Sequence, residues 1–271
     1  MASVPQNPSP MQEHTRAHER IKERAWPGVQ CTVDGILPRS VELYVPPANA
    51  SSLWIHFHGA PFVAQHAAVQ AKRPLSLACV QLGAGSAAYE RPFAQPGAFV
   101  RLLSAVRAAA GNATGLWLSS FSAGYGALRA ILGDEALAEQ VDGVLILDGL
   151  HSGYSPEGCP LAAGGAIEAG QLEPFVRFAR RAMAGEVRML ITHSEVFPGT
   201  FVSTTETADY LLDVLGLSRR AVLEWGPLGM QQLSEIGSGR LRIMGFAGNS
   251  APDHTDHLHG LYHFIDEWFA L

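Results

Sequence analysis

The chain is short of lysine, of paired cysteines and of long apolar runs. Lysine occurs only at Lys22 and Lys72, and the 271 residues carry a formal net charge of −6. Such a surface offers no cationic track to displace counterions from a phosphate backbone, so nucleic acid is not an expected partner. The three cysteines, Cys31, Cys79 and Cys159, lie far apart and form no CxxC pair. They spell neither a metal knuckle nor a dense disulfide framework; one disulfide stays open, and so does the redox compartment. No apolar run approaches the ~18 residues of a membrane-spanning helix, and no heptad or solenoid repeat is visible. The opening MASVPQNPSP is polar and lacks an apolar signal core, so the expected location is the cytoplasm, or another compartment for an already processed form.

What is there is a core. Hydrophobic residues make up 47% of the chain and charged ones 16%, the balance of a globular protein. Length predicts one domain over residues 29–271, preceded by an extension over residues 1–28. In that extension, MQEHTRAHERIKERA (residues 11–25) predicts an exposed edge helix stopped by Pro27-Gly28. Two β-rich runs, residues 29–36 and 40–45, read as a hairpin closed by Pro46-Pro47. Beyond it, short apolar runs over residues 53–57, 75–82, 115–118, 144–147, 187–192 and 241–246 alternate with helical stretches. Those helices are expected over residues 96–110, 123–132, 173–184, 205–215 and 250–271. Strands apolar on both faces, separated by amphipathic helices, predict an α/β fold with a mostly parallel sheet covered on both sides. Right-handed crossovers then bring every strand's C-terminal end to one edge, where chemistry is expected. A Gly/Ala/Pro-rich stretch, residues 152–170, is the one candidate for a cap, and it is minimal.

The residues just after the strands are therefore decisive. The run over residues 115–118 leads into Ser119-Ser120-Phe121-Ser122-Ala123-Gly124 and then an Ala/Leu helix. This is a strand, a tight turn and a helix with Ser122 at the apex, flanked by small residues where the two backbones must approach. A nucleophile there would project above the sheet beside a helix N-terminus. The segment resembles the Gly-x-Ser-x-Gly nucleophile elbow of the α/β-hydrolase superfamily, with Ser120 in place of the first glycine, and the similarity of element order extends from about residue 29 to 271. The strand over residues 53–57 runs into His58-Gly59-Ala60-Pro61, similar to the His-Gly turn of that superfamily. The resemblance implies an oxyanion hole from the Ala60 and Ala123 N–H groups, with His58 and Gly59 shaping the substrate side. It also implies a serine esterase without a cofactor, acting on small-molecule carboxylic esters.

The superfamily order puts the general base last. Among the histidines of the C-terminal segment, helical spacing from Ser250-Ala251-Pro252 turns His254 and His257 inward and leaves His259 and His263 solvated. His254 lies nearer the strand end and is preferred, with His257 as the alternative. Two carboxylates follow strands on the same edge, Asp148 and Glu195, and the acid is one of them, Asp148 being slightly favoured for its position close to the sheet. Residues 203–205 are expected to cap a helix. Two other readings compete. His56, His58 and His193, with the C-terminal histidine cluster, could be ligands of a metallohydrolase, although the chain is too short for a full barrel. The same fold could also serve as a non-catalytic binding protein. Nothing in the sequence fixes an oligomeric state.

Overall fold

A computed structural model describes residues 17–111 and 113–271. Its strands are β1 (Val29–Val33), β2 (Val41–Val45), β3 (Ser52–Phe57), β4 (Leu75–Val80), β5 (Gly115–Phe121), β6 (Gly143–Leu147), β7 (Tyr154–Ser155), β8 (Ala166–Ile167), β9 (Arg188–His193), β10 (Arg220–Trp225), β11 (Gln231–Ser238) and β12 (Leu241–Phe246). The helices are α1 (Pro61–Gln70), α2 (Ser86–Phe93), α3 (Ala98–Ala110), α4 (Tyr125–Gly133), α5 (Glu135–Ala138), α6 (Glu173–Met183), α7 (Thr204–Leu215), α8 (Ala251–His259) and α9 (Leu261–Ala270). Ten strands form one sheet in the order β1-β2-β4-β3-β5-β6-β9-β12-β11-β10, while β7 and β8 form a separate ribbon within the expected cap segment. The run from β4 to β12 is parallel, and the flanks at β1/β2 and β10/β11 are antiparallel.

Alternation along the buried strands divides the core. Leu53, Ile55 and Phe57 of β3 face one hydrophobic cluster with α2, α3, α4, α6 and α7. Trp54 of β3 and Trp117 of β5 face the other, with α1, α8 and α9. Complete burial on both faces explains why these strands read as unbroken apolar runs. The connection that matters most is at β3. The chain leaves it for β4 on one side and returns to β5 on the other, so the order reverses between β3 and β5 and opens a crevice there. In that register Phe57 lies opposite Ser120, which sets His58-Gly59-Ala60 beside Phe121-Ser122-Ala123.

Three expectations need correction. The helix over residues 11–25 is not formed where it is described, from residue 17 onward; residues 11–16 lie outside the described residues. Side chains of α8 hold that backbone instead: the Ile21 N–H donates to His259 Nδ1 at 2.9 Å, and Arg20 reaches Asp256 and the Pro252 carbonyl. A short helix is marginal by itself, so docked contacts of this kind override propensity. The same contact buries His259, 7% exposed, which the helical spacing had left in solvent. The closing helix is also broken at Gly260 into α8 and α9. Helices α1 and α2 and the β10/β11 hairpin escape the pattern because α1 buries mostly alanine, α2 contains Pro92, and β10 exposes most of its residues.

Candidate active site

After β5 the backbone turns sharply through a 3₁₀ turn, Ser122–Gly124, before α4 begins. Ser122 sits at φ 45°, a left-handed conformation that costs a non-glycine residue on the order of 1–3 kcal/mol. Close packing holds it there. A Cβ on Gly124 would lie 2.1 Å from the Phe57 carbonyl oxygen of β3, and one on Gly149 would lie 2.6 Å from the Ser122 nitrogen. The small residue after the apex thus answers to the neighbouring strand. The tight turn also receives support from Gly149, in the loop after β6.

On the β3 side of the crevice, His58 also has positive φ, at 69°. Its Nδ1 lies 2.8 Å from the Tyr89 hydroxyl, and its ring stacks on Phe121 with centroids 5.9 Å apart. Burial, then the nearby His254, pushes its pKa down, so it is a neutral ring wedged into the turn. Ala60 immediately precedes α1, where Pro61 occupies the first position with no N–H to lose, and Ala123 follows Ser122 in the 3₁₀ turn.

The histidine comes from α8, whose start is fixed by a capping box between Ser250 and Asp253. That start places His254 against Phe121, ring centroids 4.6 Å apart and nearly parallel. Its Nδ1 lies 2.7 Å from Oδ2 of Asp148, the residue that follows β6. Asp148 is 1% exposed and accepts three further hydrogen bonds: from the Ser194 N–H at 2.8 Å, the Ser194 hydroxyl at 2.7 Å and the Thr204 hydroxyl at 2.7 Å. Burial alone would raise its pKa, but the neighbouring His257, the hydrogen bond from His254 and the Ser194 hydroxyl hold it well below the usual carboxylate range. Since Asp148 is an acceptor, Nδ1 of His254 carries the proton and Nε2 is left with its lone pair.

The alternatives lie elsewhere. Glu195 is exposed and accepts the Gly248 N–H at 3.2 Å, tying the loop after β9 to the loop after β12. His257 is fully buried, with Nδ1 2.8 Å from the Thr192 hydroxyl and its ring edge-on to Phe246. Burial lowers its pKa against the pull of Asp148. The histidines of the metallohydrolase reading do not converge: among the described residues, no metal-sized group joins His56, His58 or His193 to the C-terminal histidines. His56 meets Ser119, His58 meets Tyr89, and His193 meets Thr205 and Arg219; burial drives His56 down to about 3 and His193 to about 4. Among the described residues, the cluster that could hold a metal is His18, Asp253 and Asp256, and Arg20 already occupies Asp256.

Ser122 and Ala123 open into a cleft of about 530 Å³. Its walls come from α2 and the turn before it, from Tyr125 and Arg129 of α4, from the segment that begins at His151, and from Phe201. His151 is locked by its Nδ1, 2.8 Å from the Val202 carbonyl, and burial lowers its pKa. Sequence reasoning missed Ser194 and Thr204. Both stand 46 or more positions from Asp148, and Thr204 resembles an ordinary capping residue. Their one signal was position, since each follows a strand or opens a helix at the same sheet edge. The helix itself is capped by Ser203, in a capping box with Glu206.

No protein-family model matches the sequence, and no curated protein does either. The structure is similar to a thermostable carboxylesterase cloned from a metagenomic library, with a TM-score of 0.52 and 11% identity over 91% of this chain and 90% of that one. It is also similar to an esterase of Pyrobaculum calidifontis, with a TM-score of 0.50 and 12% identity over 94% of this chain and 88% of the other. Identities this low speak for architecture, and together with the sheet order, the turn after β5 and the crevice beside β3 they show that the chain has the α/β-hydrolase fold.

Proposed function

We propose that the protein is a serine hydrolase that cleaves carboxylic esters. Ser122 attacks the acyl carbonyl as His254 Nε2 takes its proton, and Asp148 stabilises the imidazolium that forms. The Ala60 and Ala123 N–H groups receive the negative charge on the carbonyl oxygen, and His58 with Gly59 shapes that turn. Collapse of the tetrahedral intermediate breaks the ester C–O bond while His254 returns the proton to the departing alkoxide. Water then repeats the sequence on the acyl-enzyme and releases the acid. The observation that carries this reading is the 2.7 Å contact between His254 and a buried, multiply hydrogen-bonded Asp148, with the His254 ring stacked on Phe121, the residue before a serine in a strained turn. A carboxylate with those neutral donors keeps its charge for the imidazole, and a left-handed serine held at a strand-to-helix turn is the geometry expected of a nucleophile elbow.

The test is covalent labelling with a fluorophosphonate, run beside hydrolysis of p-nitrophenyl esters of increasing chain length. Wild type should label and turn over. Ser122→Ala should lose the label and several orders of magnitude in kcat, while Ser119→Ala and Ser120→Ala should still label. Equal labelling of the Ser122→Ala chain would overturn the assignment, and no labelling of wild type would favour a binding protein on the same fold.

A further inference from the structure

The ester reading leaves one end of the cleft without a role. Arg129 lies four residues after Tyr125 on α4, so both side chains share a face, and the guanidinium carbon sits 4.9 Å from the Tyr125 ring centroid. One arm donates to Gln171 Oε1 at 2.7 Å, and that amide oxygen also accepts the Gly153 N–H at 3.1 Å, which fixes it in place. The arginine side chain is 12% exposed, and its buried Nε has no hydrogen-bond partner. A guanidinium presents five N–H donors, and burying them without acceptors is costly. Glu90 forms an ion pair with Arg129 at 3.8 Å, too long for a hydrogen bond to Nε, and at 38% exposure it is the better solvated of the two. The cleft therefore holds a stacked, tethered and under-satisfied cation.

Its distance from the reaction is set by the helix. Arg129 is seven positions after Ser122, about 10 Å along the axis, and helical side chains lean back toward the N-terminus. The space between suits a chain of a few carbon atoms. Which half of an ester lies there follows from proton transfer. The leaving oxygen must sit at the imidazole that protonates it, and His254 packs against Phe121 without lining this cleft, so the cleft takes the acyl half. We infer that Arg129 is a specificity residue that receives a carboxylate at the far end of the acyl chain, making short half-esters of dicarboxylic acids the preferred substrates. This rests on the ester reading of Ser122.

The test compares monomethyl glutarate with methyl valerate, which match in chain length and differ in the terminal carboxylate, by proton release at constant pH. Wild type should prefer the glutarate ester. Arg129→Met should lower the glutarate-to-valerate ratio of kcat/KM by about 10- to 100-fold, the worth of a charge-assisted bidentate contact, with the loss carried by KM. A ratio taken within one variant is insensitive to the fraction of enzyme folded. An unchanged ratio overturns the inference, and so does an equal dependence on Arg129 with 3-acetoxypropanoate, which carries its carboxylate on the leaving group. Should wild type hydrolyse neither methyl ester, the ester reading fails by itself, and calorimetric titration with glutarate decides the role of Arg129. Binding that Arg129→Met abolishes then supports the carboxylate site, and absence of binding to wild type overturns it.

Discussion

Helix α8 takes part in two aspartate–histidine contacts that look alike and differ in chemistry. His254 presents Nδ1 to Asp148 at 2.7 Å, and Asp256 presents Oδ2 to His18 at 2.8 Å. Both carboxylates are buried, at 1% and 0% exposure. The difference lies in what else each carboxylate holds. Asp256 also receives the Arg20 guanidinium, a permanent cation that cancels its charge whatever the histidine does. The remaining hydrogen bonds to Asp148 come from an amide and two hydroxyls, which fix the carboxylate without neutralising it. Asp148 therefore keeps a full negative charge for an imidazolium to lean on, whereas Asp256 belongs to a clasp that fastens the N-terminal segment. A short His–Asp distance is not by itself a sign of catalysis, and under the proposed mechanism the other partners of the acid separate the two pairs.

The largest expected effect breaks this comparison directly. Asp148→Asn should reduce kcat by roughly 10⁴-fold, as loss of the orienting acid does in serine proteases, while Asp256→Asn should leave kcat within a few-fold. Both are read with a p-nitrophenyl ester after circular dichroism confirms the fold. Comparable losses in the two variants would erase the distinction. Next comes Thr204→Val, which removes one neutral donor from Asp148 and leaves the Ser194 pair in place. A net hydrogen bond is worth about 1 kcal/mol, so kcat should fall by about a factor of ten or less. A loss as large as that of Asp148→Asn would mean that Thr204 does more than hold the carboxylate. Smaller still for turnover is Arg20→Met. It should leave kcat near wild type but lower unfolding free energy by about 1–3 kcal/mol, since a buried carboxylate loses its charged partner. Urea denaturation checks the second part, and a fall in kcat without a fall in stability would tie the N-terminal clasp to the reaction.

The parts of this site differ in how far the sequence announced them. The parallel sheet was legible because strands buried on both faces must be apolar throughout, and the turn at Ser122 because a tight strand-to-helix connection demands small neighbours. The choice between His254 and His257 was half legible. A helical wheel says that both turn inward, but the register of α8 against Phe121 and Phe246 determines which ring meets Asp148 and which enters the core. Nothing local could reveal Ser194 and Thr204 as donors to Asp148, because that network closes only when β6, β9 and α7 meet at one edge. The segment before β1 misled for the opposite reason. Its charges favour an exposed helix, but Arg20 and Ile21 find their partners on α8, which no local pattern encodes.

The smallest effect on turnover should come from His257, and its value is that it sharpens the contrast along α8. His254 has an acid to receive its charge, whereas His257 has the Thr192 hydroxyl on Nδ1 and a buried Nε2 without a partner. Its pKa is lowered by burial, so the folded protein resists protonating it while the unfolded chain, with a value near 6.5, does not. The unfolded state then binds more protons below about pH 6.5. The stability contributed by this neutral histidine is present above that value and is lost as pH falls through the folded pKa. Replacing it with a side chain that cannot titrate removes that proton from the balance. His257→Gln should keep kcat near wild type at pH 7, and it should flatten the decline of unfolding free energy below pH 6.5 by up to one proton, about 1.4 kcal/mol per pH unit. Buried His56 and His193, lowered in the same direction, continue to titrate in both proteins and cancel in the difference. Urea melts at pH 7, 6 and 5 on the two proteins give the slopes. Parallel slopes would mean that His257 accepts a proton in the folded state as readily as in the unfolded one, and a kcat loss matching that of His254→Ala would move the base one turn along the helix.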